Sequence, residues 1–225
     1  MTTTMRRTPE PEKMTEEEET SYAGADYSIP HEKLAREIVS TAAGIGLRAL
    51  DIGCGPGDVL IRVRSHAPSW YLYGVDMSPT MLSMASAAAQ KRIPPEQRQI
   101  NWVLGNVRGS GLPDDEFHVI MSNTVLHHIE DAVQFWREIA RIARNGAHVF
   151  VRDFRRPPDE QAAREVMERN IGHESDGVKA HYFTSLLSSY TVAEVTTDME
   201  KAGLKGLRAV EYEDRYLTVS GQVQK

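Results

Sequence analysis

The chain has 225 residues, enough for one α/β domain with a full core and little left over. Its 40% hydrophobic and 26% charged content is that of a globular protein, and no apolar stretch approaches the roughly 20 residues that span a bilayer, so no membrane partner is expected. Half of the net charge of -6 comes from the first twenty residues, where six acidic residues face three basic ones, and no long basic stripe follows, which argues against a nucleic-acid partner.

Residues 1–20 carry Pro9, Pro11 and the run Glu16 to Glu19 with almost no apolar side chain, and are expected to be a disordered acidic tail. The start of the chain has no apolar segment like that of a signal peptide, and the single cysteine, Cys54, excludes an intrachain disulfide. Both points lead to the expectation of a cytoplasmic protein. Residues 21–225 are expected to form a single domain with an N-terminal helical cap. Tyr22, Tyr27 and Ile29 precede a stretch from His31 to Val39 with helical spacing at Leu34, Ile38 and Val39.

A first strand is predicted over 47–52, a helix over 57–66 and a second strand over 70–75. Ser78-Pro79 is a good N-cap and first-turn pair for a helix through Lys91, which Pro94-Pro95 ends. Strands follow at 100–104 and 117–122, and an amphipathic helix at 131–144 carries Val133, Phe135, Trp136, Ile139 and Ile142. Asn145-Gly146 is expected to cap that helix ahead of a fifth strand at 147–154. Helices near 159–170, 182–188 and 191–202 and two strands near 206–212 and 215–220 complete the chain. Strand and helix alternate from 47 to 154, the signature of a doubly wound parallel sheet with right-handed crossovers.

The glycine-rich turn after the first strand carries the functional argument. It reads Asp51-Ile52-Gly53-Cys54-Gly55-Pro56-Gly57-Asp58, and the second strand stops at Gly74-Val75-Asp76. This is a nucleoside-binding βαβ unit, in which glycines let the backbone approach a ligand and an acidic residue accepts hydrogen bonds from ribose hydroxyls. In a dinucleotide fingerprint a third glycine would fall at Asp58. A carboxylate there opposes a pyrophosphate at the helix N-terminus, so the ligand is expected to have a ribose and no phosphates at that end. Cys54 reads as a small residue filling the turn rather than as a catalytic thiol.

On these two motifs, in register, the chain resembles the class I S-adenosylmethionine-dependent methyltransferases. Residues 51–57 match their first motif and Gly74-Val75-Asp76-Met77-Ser78-Pro79 their acidic second motif. The resemblance covers about residues 22–221 and implies a Rossmann-like, seven-stranded, mostly parallel sheet with an antiparallel C-terminal hairpin, led into by Gly203-Leu204-Lys205-Gly206. It implies S-adenosyl-L-methionine as cofactor and assigns the binding residues. Asp51 faces the methionine amino group, Gly53, Cys54 and Gly55 lie along the methionine moiety, Asp76 takes the ribose hydroxyls, and Met77 lies on the adenine face. Asn106 stands where many relatives have Asp; its amide oxygen can still accept from the adenine amino group. The Val107 backbone N–H faces the adenine ring, and Asn123, after the fourth strand, approaches the methionine end.

The same resemblance implies methyl transfer to the oxygen, nitrogen or sulfur of a small molecule. The sulfonium is an activated donor, so the protein has to align the acceptor and exclude water. His127, in Leu126-His127-His128, is the candidate base, with Tyr27 and Arg152 as further candidates on the acceptor side. Paired histidines of this kind also pack locally, and nothing here has metal-ligand spacing, so no metal is expected. Arg152, Arg155 and Arg156 either bind an anionic substrate or pair with nearby carboxylates. His173, His181 and Tyr182 are candidates to line the acceptor pocket. Two other classes stay open: an enzyme of the same fold using the sulfonium for cyclisation or lyase chemistry, and a non-catalytic cofactor-binding partner subunit. A monomer or homodimer fits all of these.

Overall fold

The computed structural model describes residues 7–11, 15, 19, 23–24, 27–42, 44 and 46–225. Helix α1 (Ser28–Thr41) leads into strand β1 (Arg48–Ile52). There follow α2 (Asp58–His66), β2 (Tyr71–Asp76), α3 (Pro79–Arg92), β3 (Ile100–Leu104), β4 (Phe117–Asn123), α4 (Ala132–Ile142) and β5 (Ala143–Phe154). The remainder is α5 (Glu160–Ile171), α6 (Asp176–Ser188), α7 (Val192–Lys201), β6 (Lys205–Tyr212) and β7 (Tyr216–Gln224). One sheet runs in the order β3-β2-β1-β4-β5-β7-β6. Strands β1 to β5 are parallel to one another, and β7 runs antiparallel to both β5 and β6. This is the expected seven-stranded, mostly parallel, doubly wound sheet with an antiparallel C-terminal hairpin.

The sheet is covered on both faces, and the period of two sorts its side chains into two layers. On β1 and β4, Leu50, Ile52, Phe117 and Ile120 pack with Phe135, Trp136 and Ile139 of α4 and with Val195 and Met199 of α7. Ala49, Val119 and Met121 face the other way, against Leu34 and Ile38 of α1 and Leu60 and Val63 of α2. A smaller cluster under Phe154 and Tyr182 joins α5 to α6. No helix among the described residues is long and apolar enough to cross a membrane.

Two boundaries differ from the sequence reading. The fourth long helix ends at Ile142, and β5 begins at once with Ala143. Asn145-Gly146 lies inside that strand, where Gly146 takes φ 80° and the register shifts between Phe117↔Ala143 and Val119↔His148. A glycine able to adopt positive φ serves an irregular strand as well as a helix end. Helix α6 starts at Asp176, six residues ahead of the predicted 182, because its first turns (Gly177, Lys179, Ala180) carry no apolar period.

The tail expected to be disordered includes Arg7 and Glu10, and both make contacts. Arg7 donates to the carbonyls of Ser188 (2.5 Å), His127 (2.7 Å) and Ile129 (2.9 Å), and its guanidinium stacks 4.2 Å over the Tyr190 ring. These three carbonyls terminate local turns and have lone pairs to offer, which a forked cation satisfies together.

Candidate functional site

The carboxyl ends of β1, β2 and β4 and helix α1 enclose a cavity of about 820 Å³. The nine cofactor-binding candidates and three catalytic candidates line it: Asp51, Gly53, Cys54, Gly55, Asp76, Met77, Asn106, Val107, Asn123, Tyr27, His127 and Arg152. Tyr22 lies outside the described residues. The volume is at the upper end of the roughly 300–1,000 Å³ usual for ligand pockets, with room for more than one small molecule.

At the β1–β2 end the cavity is acidic. Asp51 is 3% exposed, its carboxyl pushed up to about 7 by burial and then by the charge of Asp76. No described residue donates a hydrogen bond to it or pairs with it. Asp76 accepts from the Gly55 N–H (2.8 Å) on one oxygen and from the Ser78 N–H (2.9 Å) on the other. Each oxygen keeps a lone pair for a further donor. Burial also raises the Asp76 carboxyl, and Glu19, 5% exposed and lining the same cavity, adds to the shift. Asp51 and Glu19, both buried, and the half-buried Asp76 face one cavity, and no described cation pairs with Asp51 or Asp76, which suits a ligand that brings positive charge and hydroxyl donors. That is the donor set of adenosylmethionine, whose ammonium and sulfonium are cationic and whose ribose carries two hydroxyls.

The glycine turn is used partly for internal packing. Gly53 takes φ 78°, and a Cβ there would meet Val125 Cγ2 at 2.5 Å. Gly57 (φ 77°) meets Trp102 and Ala85 in the same way. Cys54 is buried, with its thiol pushed well above the ordinary range by burial and then by Asp51, so it stays protonated as a filler. Asn106 accepts the Arg108 N–H (2.8 Å) in a local turn, leaving its second lone pair and its amide NH2.

Asp58, at the position of the absent third glycine, faces the cap helix. It accepts from His31 Nδ1 (2.8 Å) and Arg62 Nε (2.9 Å) and pairs with Arg92. Burial raises its carboxyl, but these donors outweigh it and hold it well below the usual carboxylate range. His31 is 8% exposed, lines the cavity, stacks on Tyr27 (5.3 Å) and points its Nε2 at Asn123 Nδ2 (3.5 Å). Sequence reading passed over His31. Its signal was there: Tyr27, His31, Leu34 and Ile38 follow one helical face. Next to Asn123, Thr124 is held at φ 53°, an uncommon conformation for a β-branched residue, of the kind that collects at functional sites.

The other end of the cavity is aromatic. Phe154, Tyr182, Tyr212 and Tyr216 line it with His181, from α6, β5 and the C-terminal hairpin. His173 lies away from it, exposed beside Glu174. His127 is 3% exposed and its Nδ1 meets Asp153 Oδ1 at 2.7 Å. Burial lowers the pKa of His127, but Asp153 and Glu10 outweigh this and leave it raised. Of the three arginines, Arg152 lines the cavity but is bonded to Glu37 (2.6 Å) and stacked 3.9 Å over Tyr212. Arg155 meets Glu211 (3.4 Å), and Arg156, 3% exposed, holds Glu194 (2.5 Å) and the Ser189 carbonyl (2.9 Å). Pairing with carboxylates, one of the two readings left open by the sequence, is what the side chains do.

Comparison with known proteins agrees with this geometry. Residues 50–151 match a family described as a methyltransferase domain. A 2-phytyl-1,4-naphtoquinone methyltransferase from Nostoc punctiforme is 34% identical over 122 residues, 54% of this chain and 52% of that protein. A demethylmenaquinone methyltransferase from a Roseiflexus species is 32% identical over 110 residues, 49% of this chain and 44% of that protein. The chain thus spans about half the length of the curated relatives it matches. Among solved structures, a SAM-dependent methyltransferase from Aquifex aeolicus superposes with a TM-score of 0.70 at 17% identity, covering 94% of this chain and 100% of that one.

Proposed function

We propose that the chain is a class I S-adenosylmethionine-dependent methyltransferase and that it methylates an oxygen, nitrogen or sulfur of a small, largely apolar cyclic molecule. The observation that carries this reading is the division of one cavity into an end walled by Asp51, Asp76 and Glu19 and an aromatic end. Asp51 and Asp76 bind and orient the cationic, hydroxyl-bearing cofactor, and Met77, Asn106 and Val107 flank its base. S-Adenosylmethionine supplies an activated methyl group there. Asn123 and the strained Thr124 mark the junction between the two ends, and His31 and His127 both stand within the cavity wall, each fixed through Nδ1 by a carboxylate. His31, so held, presents Nε2 beside Asn123 to take a proton from an acceptor group.

The named activities of the relatives, on naphtoquinone and demethylmenaquinone, support a ring-shaped acceptor. The aromatic wall supports it too, since flat rings pack on Phe and Tyr faces. An anionic acceptor loses its main support, because each of the three arginines is neutralised by a carboxylate. The single buried cysteine supports a reducing, cytoplasmic setting.

The test is incubation of the protein with methyl-labelled cofactor and a panel of quinols, phenols and amines. Label in the acceptor with release of S-adenosylhomocysteine supports the reading. Release of methylthioadenosine would establish the cyclisation or lyase class instead, and cofactor binding without turnover on any extract would leave the partner-subunit class.

A further inference from the structure

The N-terminal segment brings a carboxylate onto the paired histidines, and the three groups form a donor set that spacing along the chain could not reveal. Glu10 Oε2 lies 3.6 Å from His127 Nε2 and 3.3 Å from His128 Nδ1. One ligand atom from each of the three residues lies within 4.8 Å of the other two. A tetrahedral zinc with bonds of about 2.0–2.1 Å separates its donors by about 3.3–3.4 Å. The two edges given by Glu10 match that figure to within a few tenths of an ångström.

Three further observations point to a cation. Glu10 Oε2 is buried and has no hydrogen-bond partner among the described residues, although its other oxygen accepts from Ser185 Oγ (3.3 Å). The side chains of Glu10 and His127 are 7% and 4% exposed, so water gives this carboxylate oxygen little compensation. His127 Nδ1 is bonded to Asp153, whose second oxygen accepts the Leu126 N–H (2.6 Å). That arrangement, a carboxylate behind the imidazole, fixes the ring and leaves Nε2 to coordinate, as in most histidine-bound metals.

We infer that Glu10, His127 and His128 form a binding site for a divalent transition metal, zinc in the first place, which pins the N-terminal segment across the acceptor end of the cavity. Two imidazoles and one carboxylate are a ligand set that zinc takes with a fourth position open. Both histidines line the cavity, which puts that fourth position within reach of the acceptor. Binding asks one concession. His128 Nδ1 lies 3.3 Å from the Pro11 carbonyl and has to give up that contact and carry its proton on Nε2. The sequence expectation of no metal is revised on this ground. It rested on spacing, and the third ligand comes from a segment far upstream of the histidines.

The experiment uses the full chain, stripped with a chelator and dialysed. Zinc chloride is titrated calorimetrically, and cobalt chloride is titrated while the visible spectrum is recorded. The proposal expects one zinc per chain and the intense visible bands of tetrahedral cobalt. Glu10→Gln and His128→Gln should each weaken zinc binding at least about tenfold, the lower end of what losing a group that merely orients a ligand costs. Glu10→Gln is the deciding variant, because Glu10 lies outside the sheet and its core and a circular dichroism melt checks that the fold is kept. No stoichiometric uptake, octahedral cobalt only, or unchanged affinity in Glu10→Gln overturns the proposal. None of these readouts depends on methyl transfer, so failure of the proposed function and failure of the metal site are separately visible.

Discussion

Asp76 and Asp51 show how differently two carboxylates in one cavity are set. Asp76 is anchored by two backbone N–H groups, so its role is geometric. Asp76→Ala should weaken cofactor binding by roughly 1–3 kcal/mol, the cost of leaving buried polar partners unmet, as calorimetry with S-adenosylhomocysteine will measure. Asp51 has no such anchor. Its carboxyl is held at about 7 in the folded protein against 3.8 ordinarily, so between those values the folded state binds the extra proton and stability falls as pH rises. Asp51→Asn should therefore flatten the fall in melting temperature between about pH 4 and pH 7, gain most over the wild type at about pH 8, and lose cofactor affinity. A variant as pH-sensitive as the wild type would show that Asp51 is not the titrating group. Both carboxylates were legible in the sequence because they end apolar strands beside a glycine turn. Their different settings were not, since these depend on which N–H groups the fold brings near.

Among the elements, α1 and the segment after β5 carry what the sequence left ambiguous. Leu34 on α1 is 2% exposed and packs on the α2 side of the sheet. Leu34→Ala should destabilise the protein by about 2–5 kcal/mol in urea unfolding. It should also weaken cofactor binding, because α1 positions His31 over Asn123. Arg156 illustrates the opposite case, a residue that reads as functional and turns out structural. It bridges the segment just after β5 to Glu194 at the N-terminus of α7 and does not line the cavity. Arg156→Ala leaves the Glu194 carboxylate and the Ser189 carbonyl without this donor, and should cost about 2–3 kcal/mol of stability with little change in KM for the acceptor. A KM raised tenfold with stability intact would restore the anionic-substrate reading. Three arginines close together in a chain look alike whether they bind a ligand or one another's neighbours. Only the positions of Glu37, Glu194 and Glu211, all distant in sequence, separate the cases.

At the scale of the whole molecule, the site is closed by its first residues. Arg7 ties that segment to the turns around His127 and Ser188, and Glu19 reaches the acidic end of the cavity. Removing residues 1–20 should leave the sheet folded by circular dichroism while speeding cofactor dissociation several-fold in stopped-flow measurements. An unchanged off-rate would show that the segment does not cover the site. What the sequence determined by itself is the sheet, its order of alternation and the residues of its strand ends that line the cavity. Those are local signals: apolar periods of two and 3.6, glycines that need positive φ, and acids placed at strand ends. What the tertiary structure alone decided is everything that depends on residues far apart in the chain: the acidic triad of Asp51, Asp76 and Glu19, the pairing of the arginines, the reach of His31 to Asn123, and the meeting of Glu10 with His127 and His128. Short-range conformational preference writes the first set into neighbouring residues. The second set exists only once burial has brought remote side chains within bonding distance, and no period or motif records that.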